Sequence, residues 1–399
     1  MTIPRLTLGV ALAALSVALL ATPVHAQNPY EIHVVQPLTG GGSFLGKAEQ
    51  QSLQLAEKVA NASGGIQGRP LKFVFHDDQS NPQTAVQLAN EVIATKPAVM
   101  IGSSLVAMCN AISPLMQANG PVQYCLSPGI HPNQGSYTFT SSTSTHDLAI
   151  ALVRYFRLKG WTKIATMTST DASGQDAENN LKNVVQMPEN KDVKIVQAAH
   201  FNTTDVSVTA QIQNIKAANP DVLIAWSTGT PIATIFRGII QAGLDIPVAT
   251  TDGNMTYAQM NQYKDFLPRQ LYIPAAQWVT GYSPEVQLPE AEKAKQKEFF
   301  DAFKAANIQP DVASELAWDP AMILIDALRK LGPNATAAQV RDYISKLKGF
   351  VGANGTYDFV KTPQRGLEVD NVVVTRWSPS LNHWEVMSKP TGIPLDDKK

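Results

Sequence analysis

The chain has 399 residues, 44% of them hydrophobic and 16% charged, with 32 Lys and Arg against 33 Asp and Glu and two cysteines. That is too apolar for a disordered chain, and at roughly 100–200 residues per domain it is long enough for two or three domains. The formal net charge is −1 and no Lys/Arg block occurs, which excludes the electrostatic footprint needed for nucleic acid or an anionic membrane surface.

At the start, Arg5 precedes an apolar run from Leu6 to Leu20, and Ala21-Thr22-Pro23-Val24-His25-Ala26 adds a helix break and a small-x-small ending. This is the pattern of a secretory signal peptide over residues 1–26, cleaved after Ala26. The apolar run, about 15 residues, falls short of the about 20 that a membrane span needs. The mature protein is therefore expected to be exported and soluble. Export places Cys109 and Cys125 in an oxidising compartment, where a pair so close in sequence is expected to be bridged. The alternative is two buried thiols.

Strand-like and helix-like runs then alternate. Glu31–Gln36 reads as a strand, Ser43–Asn61 as a helix, Leu71–His76 as a strand, Pro82–Thr95 as a helix and Ala98–Ile101 as a strand. In the first helix Leu45, Ala48, Leu55 and Val59 recur at helical spacing, while Glu49, Gln50, Glu57 and Lys58 lie elsewhere on the wheel. The Gly64-Gly65 pair should end it. After a polar seam at 140–145 the pattern repeats, with strands at Lys163–Thr168, Val193–Ala199 and Asp221–Trp226 and helices at Gln175–Val185, Val206–Ala218 and Pro231–Ala242. Helices Glu290–Ala306 and Ala313–Leu331 and strands Tyr357–Val360 and Val372–Trp377 come after. Alternation of this kind predicts α/β architecture: two units, each a parallel sheet flanked by helices, with a cleft at the carboxyl ends of the strands.

Few residues look chemical. Gly40-Gly41-Gly42-Ser43 follows the first strand, and Gly41-x4-Gly46-Lys47 is nearly a phosphate loop, but Ala48 stands where a hydroxyl must reach Mg²⁺. The bland reading is a turn that lets the backbone approach something closely. No Gly-x-Ser-x-Gly elbow occurs, the seven histidines fall in no metal-binding spacing, and no cofactor or metal is expected. Asp77 and Asp78 adjoin on a strand end and point to opposite faces, so at least one should serve as a cap or surface group. His131 follows a strand and falls on the cleft side, which leaves a structural and a functional role equally open.

Gln36-Pro37-Leu38-Thr39-Gly40, Asn61-Ala62-Ser63-Gly64-Gly65-Ile66-Gln67-Gly68-Arg69-Pro70-Leu71 and His76-Asp77-Asp78-Gln79-Ser80-Asn81-Pro82 resemble the leucine/isoleucine/valine-binding proteins. So do Leu126-Ser127-Pro128-Gly129, Asp171 with Gly174, Asn219-Pro220-Asp221-Val222 and Thr251-Asp252-Gly253, in order through nearly the whole mature chain. The resemblance implies a type I periplasmic binding protein: two lobes joined by three crossing strands, closing like a hinge on a small ligand. It places the first lobe at 27–141 and 275–350 and the second at 142–274 and 351–399. It further implies a monomeric, non-enzymatic receptor that binds a small carboxylate and docks on an ABC transporter permease in the inner membrane.

Carried over residue by residue, the resemblance puts the ligand at Leu45, Ser104, Val106, Ser127, Gly129, His131, Ser173, Thr228 and Asp252. Several of these depart from the family pattern. Val106 replaces a carboxylate-binding Ser, with Ser103 and Ser104 displaced toward the strand; His131 replaces a Thr; and Leu45, Ser173 and Thr228 replace aromatic residues. Asp252 matches the acid that pairs with the ligand ammonium. A buried amino acid needs both charges paired. Backbone N–H groups near Val106 and Gly129, or a protonated His131, would serve its carboxylate. In the alternative, His131 and the 40–43 turn bind a carboxylate whose remainder is aromatic or aliphatic, as in relatives that carry aromatic acids, while Asp252 faces a hydroxyl or water. A ligand sensor for a signalling partner and an exported hydrolase are the competing roles.

Overall fold

A computed structural model describes residues 28–117, 120–141, 143–283 and 286–396, and the expected signal peptide lies outside the described residues. The first unit runs β1 (Tyr30–Gln36), α1 (Ser43–Ala62), β2 (Leu71–Asp77), α2 (Pro82–Ala94), β3 (Val99–Ile101), α3 (Val106–Ile112), β4 (Val122–Cys125) and β5 (Thr138–Thr140). Its five strands are parallel, in the order β2-β1-β3-β4-β5. Local sequence explains much of this. Asn81 caps α2 by accepting from the N–H groups of Gln83 and Thr84, with Pro82 in the first turn, where a missing N–H costs nothing.

The chain then enters a second unit: α4 (Thr145–Leu158), β6 (Lys163–Ser169), α5 (Ala172–Val185), β7 (Lys194–Phe201), α6 (Thr209–Ala217), β8 (Val222–Trp226), α7 (Ile232–Gln241), β9 (Val248–Ala249), α8 (Tyr257–Tyr263) and β10 (Leu271–Ala276). It returns to the first sheet for α9 (Glu290–Ala305), α10 (Val312–Leu331) and α11 (Ala337–Ser345). The hairpin β11 (Lys348–Gly352) and β12 (Gly355–Asp358) precedes β13 (Val372–Ser378), which extends the second sheet antiparallel to β10, and β14 (His383–Val386), which pairs antiparallel with β13 at the edge. That sheet is ordered β14-β13-β10-β9-β8-β6-β7. Three crossings therefore join the sheets: after Thr140, after Ala276 and before Val372.

Two sequence expectations change. The change of lobe predicted at residue 351 does not occur there. Asp319 of α10 accepts from Ala353 N and Asn354 N, Phe359 packs edge-on against Phe139 of β5, and Gln364 O accepts from Thr140 N. The segment to Gln364 thus belongs with the first sheet, because a short hairpin needs a core to lean on. The buried face of α1 also differs from the one its spacing predicts. Val59 is 42% exposed, whereas Glu49 is fully buried together with Ser52, Leu53 and Ala56. Helix α10 lies along this flank, with Ser52 Oγ donating to Ser314 O at 2.6 Å. A helix covered by a sheet and by a second helix buries a wider stripe than one face predicts.

Candidate functional site

Where the carboxyl ends of the two sheets face each other, a small cavity of about 20 Å³ remains, room for a water molecule. Eight of the nine expected ligand residues line it: Leu45, Ser104, Val106, Ser127 and Gly129 on the first-sheet side, and Ser173, Thr228 and Asp252 on the second. His131 does not. Its imidazole Nε2 lies 2.7 Å from Asp176 Oδ1 of α5, and its side chain is 54% exposed, so it links the lobes at the rim. Thr145, Trp226, Thr251 and Leu316 also line the cavity and were not expected. Trp226 was within reach of sequence reasoning, since it closes the strand-like run from Asp221 at the carboxyl end, where open α/β sheets bind ligands.

On the first side, Val106 opens α3 and Ser127 follows β4. The Cys109–Cys125 disulfide joins those two elements. Arg365, buried, donates to the carbonyls of Ser141, Thr143, Pro128 and Ile130. One guanidinium thereby holds the 128–130 loop against the 141–143 crossing. Burial lowers its pKa to about 10, against the pull of Asp147, Tyr124, Asp176 and Asp252.

The second side carries the acid. Asp252 is 2% exposed, and its Oδ1 accepts from Thr251 Oγ1 and Gly253 N, each at 2.8 Å. Burial raises its pKa to about 6 against those two donors, so at neutral pH it is mostly ionised and suited to a cation. Ser173 and Thr228 hydroxyls meet at 2.9 Å. The loop carrying Thr228 is fixed by Asn254, which accepts from Gly229 N and donates to Ser227 O, and by Gln259, which donates to Gly229 O.

The glycine turn after β1 acts on protein rather than phosphate. A Cβ at Gly46 would lie 2.2 Å from Pro37 O, which requires glycine there so that α1 can start beside the strand end. Gly41 O accepts from Thr230 N at 3.0 Å across the cleft, and Gly229, at φ +85°, would place a Cβ 2.3 Å from the same oxygen. The turn therefore approaches the opposite lobe. Asp77 accepts from Thr39 and Gln79, while Asp78 is buried and accepts from Ser103 Oγ at 2.8 Å, so the two acids do serve separate local roles. Among the described residues no helix is long and apolar enough to cross a membrane.

Over 108 residues the chain is 30% identical to Leu/Ile/Val-binding protein homolog 3 of Brucella melitensis, a match that spans 26% of this chain and 29% of that protein. At 22% identity over 329 residues, 80% of this chain and 83% of the other, it is similar to the leucine-, isoleucine-, valine-, threonine-, and alanine-binding protein of Pseudomonas aeruginosa. An ABC transporter solute-binding protein from R. palustris, solved in complex with benzoate, has the same fold. Its TM-score is 0.75 at 18% identity, over 93% of this chain and 99% of that one. The family model described as periplasmic binding protein matches residues 29–380, which takes in the first sheet, all of the second but its edge strand β14, the three crossings and the whole cleft, and the chain belongs to that family.

Proposed function

We propose that this protein is an extracytoplasmic receptor for a small carboxylate, most simply an amino acid with an aliphatic side chain, which it passes to the permease of an ABC importer. The observation that carries this reading is the pairing of unlike walls in one cavity. Asp252 offers a buried negative charge from one lobe, and the hydroxyls of Ser104 and Ser127 face it from the other. A ligand with an ammonium at one end and a carboxylate at the other would touch both lobes, and only such a ligand favours the closed arrangement over an open one. Leu45, Val106 and Leu316 supply apolar surface for an aliphatic side chain. The cavity is far smaller than an amino acid, so entry requires the lobes to part along the three crossings. Export through the segment at 1–26, a monomeric state and the absence of chemistry on the ligand belong to the same reading.

A second reading, an aromatic carboxylate, is favoured by Trp226, whose buried side chain gives the cavity a flat apolar wall. The benzoate complex of the R. palustris relative supports it.

Thermal unfolding in the presence of L-leucine, other amino acids and benzoate separates the two. A ligand that binds only the folded state raises the melting temperature with its concentration over Kd. A shift with L-leucine that disappears in Asp252→Ala supports the amino acid. A shift with benzoate alone, retained in Asp252→Ala, supports the aromatic acid; no shift with any member overturns the carboxylate reading.

A further inference from the structure

Glu49 has no part in the site as described, yet it stands directly behind it. It is fully buried in α1, and its Oε2 lies 3.1 Å from the Oγ of Ser104, which lines the cavity. Its other oxygen, Oε1, is buried without a hydrogen-bond partner. The charged neighbours acting on it are acidic: Asp78, at the end of β2, and Asp311, which caps α10. Glu315, one turn further along α10, is engaged with Asn354. An ionised carboxylate here would have one hydrogen bond where it seeks several, among like charges and out of water.

We propose that Glu49 is a positioning residue for the ligand: it carries a proton, donates it in a hydrogen bond to Ser104 Oγ, and so turns the Ser104 hydroxyl into a donor that selects an acceptor group, a carboxylate, on the first-lobe wall. This rests on the carboxylate reading of the cleft and deepens it. The logic is that of a single hydroxyl, which has one hydrogen to give. If Glu49 is ionised it takes that hydrogen, and Ser104 shows only lone pairs to the cleft, which repel a carboxylate. If Glu49 is neutral its own O–H occupies a Ser104 lone pair, and the Ser104 hydrogen is free to turn toward the ligand. Burial favours the neutral form and pushes the Glu49 pKa up to about 8, the Ser104 contact working against it. The two lobes then divide the ligand: Asp252 takes the cationic or donor end and Ser104 the anionic end.

The state of Glu49 can be read without any ligand. In protein carrying carbon-13 at the glutamate carboxyls, the Glu49 signal is identified by its loss in Glu49→Gln and followed with pH. A midpoint above neutrality is expected, and a midpoint in the ordinary carboxylate range overturns the proposal. Calorimetric titration with L-leucine and with benzoate from pH 6 to 9 tests the consequence. The ligand that binds should lose up to about tenfold in affinity per pH unit above the Glu49 midpoint. Glu49→Gln, whose amide N–H can donate to Ser104 as the acid does, should bind with no such loss. A merely structural Glu49 predicts equal pH profiles in the two proteins, and that result overturns the proposal. If neither probe binds, the carboxylate reading of the cleft fails, while the carboxyl titration still decides whether Glu49 is neutral.

Discussion

On the first-lobe wall of the cleft, Val106 and Ser127 stand on elements tied by a covalent bond and by the Arg365 guanidinium; on the second, Thr228 and Asp252 stand on loops held by the neutral amides of Asn254 and Gln259. The first wall is built from short strands, β3 and β5 having three residues each. Short strands offer few ladder hydrogen bonds to anchor the loops at their carboxyl ends, and the cross-link and the cation supply the missing rigidity. The second wall grows from β6 and β8, of seven and five residues, and from the two-residue β9 ahead of Asp252, and local amide bonds shape its loops. Two similar α/β units thus hold their walls by unlike means, one of which depends on redox state and charge.

The largest expected effect breaks the first wall. Arg365→Met removes the donor to as many as four carbonyls, and each orphaned buried group costs about 1–3 kcal/mol. Denaturant unfolding should show a loss of roughly 4 kcal/mol; a loss below about 1 kcal/mol would mean that water replaces the guanidinium at no cost. Reduction of the Cys109–Cys125 bond, which spans 16 residues, should cost about 3 kcal/mol in the same assay, and an unchanged midpoint in dithiothreitol would show that the first wall does not rely on it.

The buried acids sharpen the comparison through pH. Glu49 and Asp252 both have pKa values raised by burial, to about 8 and about 6. A carboxyl raised on folding gives stability that is present below its ordinary range and is lost as pH climbs to its folded value. Asp252, with Asp78 and Asp311, also raised to about 6, has finished by pH 7. His33 and His76, lowered chiefly by burial, act in the opposite sense, near and below 6.5. Between pH 7 and 8, then, Glu49 leads. Stability should fall there by up to about 1.4 kcal/mol per pH unit and stay level in Glu49→Gln, as read from thermal midpoints. The last effect falls on the second wall: Asn254→Ala should cost about 1 kcal/mol and loosen the 227–229 loop, seen as faster amide exchange at Gly229.

Much of this molecule is legible in its sequence. The start of α1 at Ser43, the capped start of α2 at Pro82 and the start of β13 at Val372 come from turn chemistry and periodicity, which act over a few residues. The cleft residues are legible only through ordered motifs, since residues as distant in the chain as Leu45 and Asp252 line the same cavity. Three departures share a cause. The burial of Glu49, the pairing of His131 with Asp176, and the attachment of 351–364 to the first sheet are each set by what lies opposite in space. A wheel or a strand pattern describes one element and is silent about its second neighbour.

Trp226 has one further consequence. Of the six tryptophans, Trp278 and Trp384 lie fully buried in the cores, Trp318 packs on Phe299 and Phe303, Trp377 on Tyr257 and Trp384, and Trp161 among Tyr155, Phe156 and Tyr272, whereas the indole of Trp226 borders the cleft itself. The protein thus contains a built-in optical gauge of occupancy. Emission from this one ring should change in wavelength or yield as a guest replaces solvent beside it, and Trp226→Phe should silence that signal while leaving the emission of the others in place. An unlabelled sample could then be titrated by fluorescence, and the speed of lobe closure followed in a stopped-flow cell.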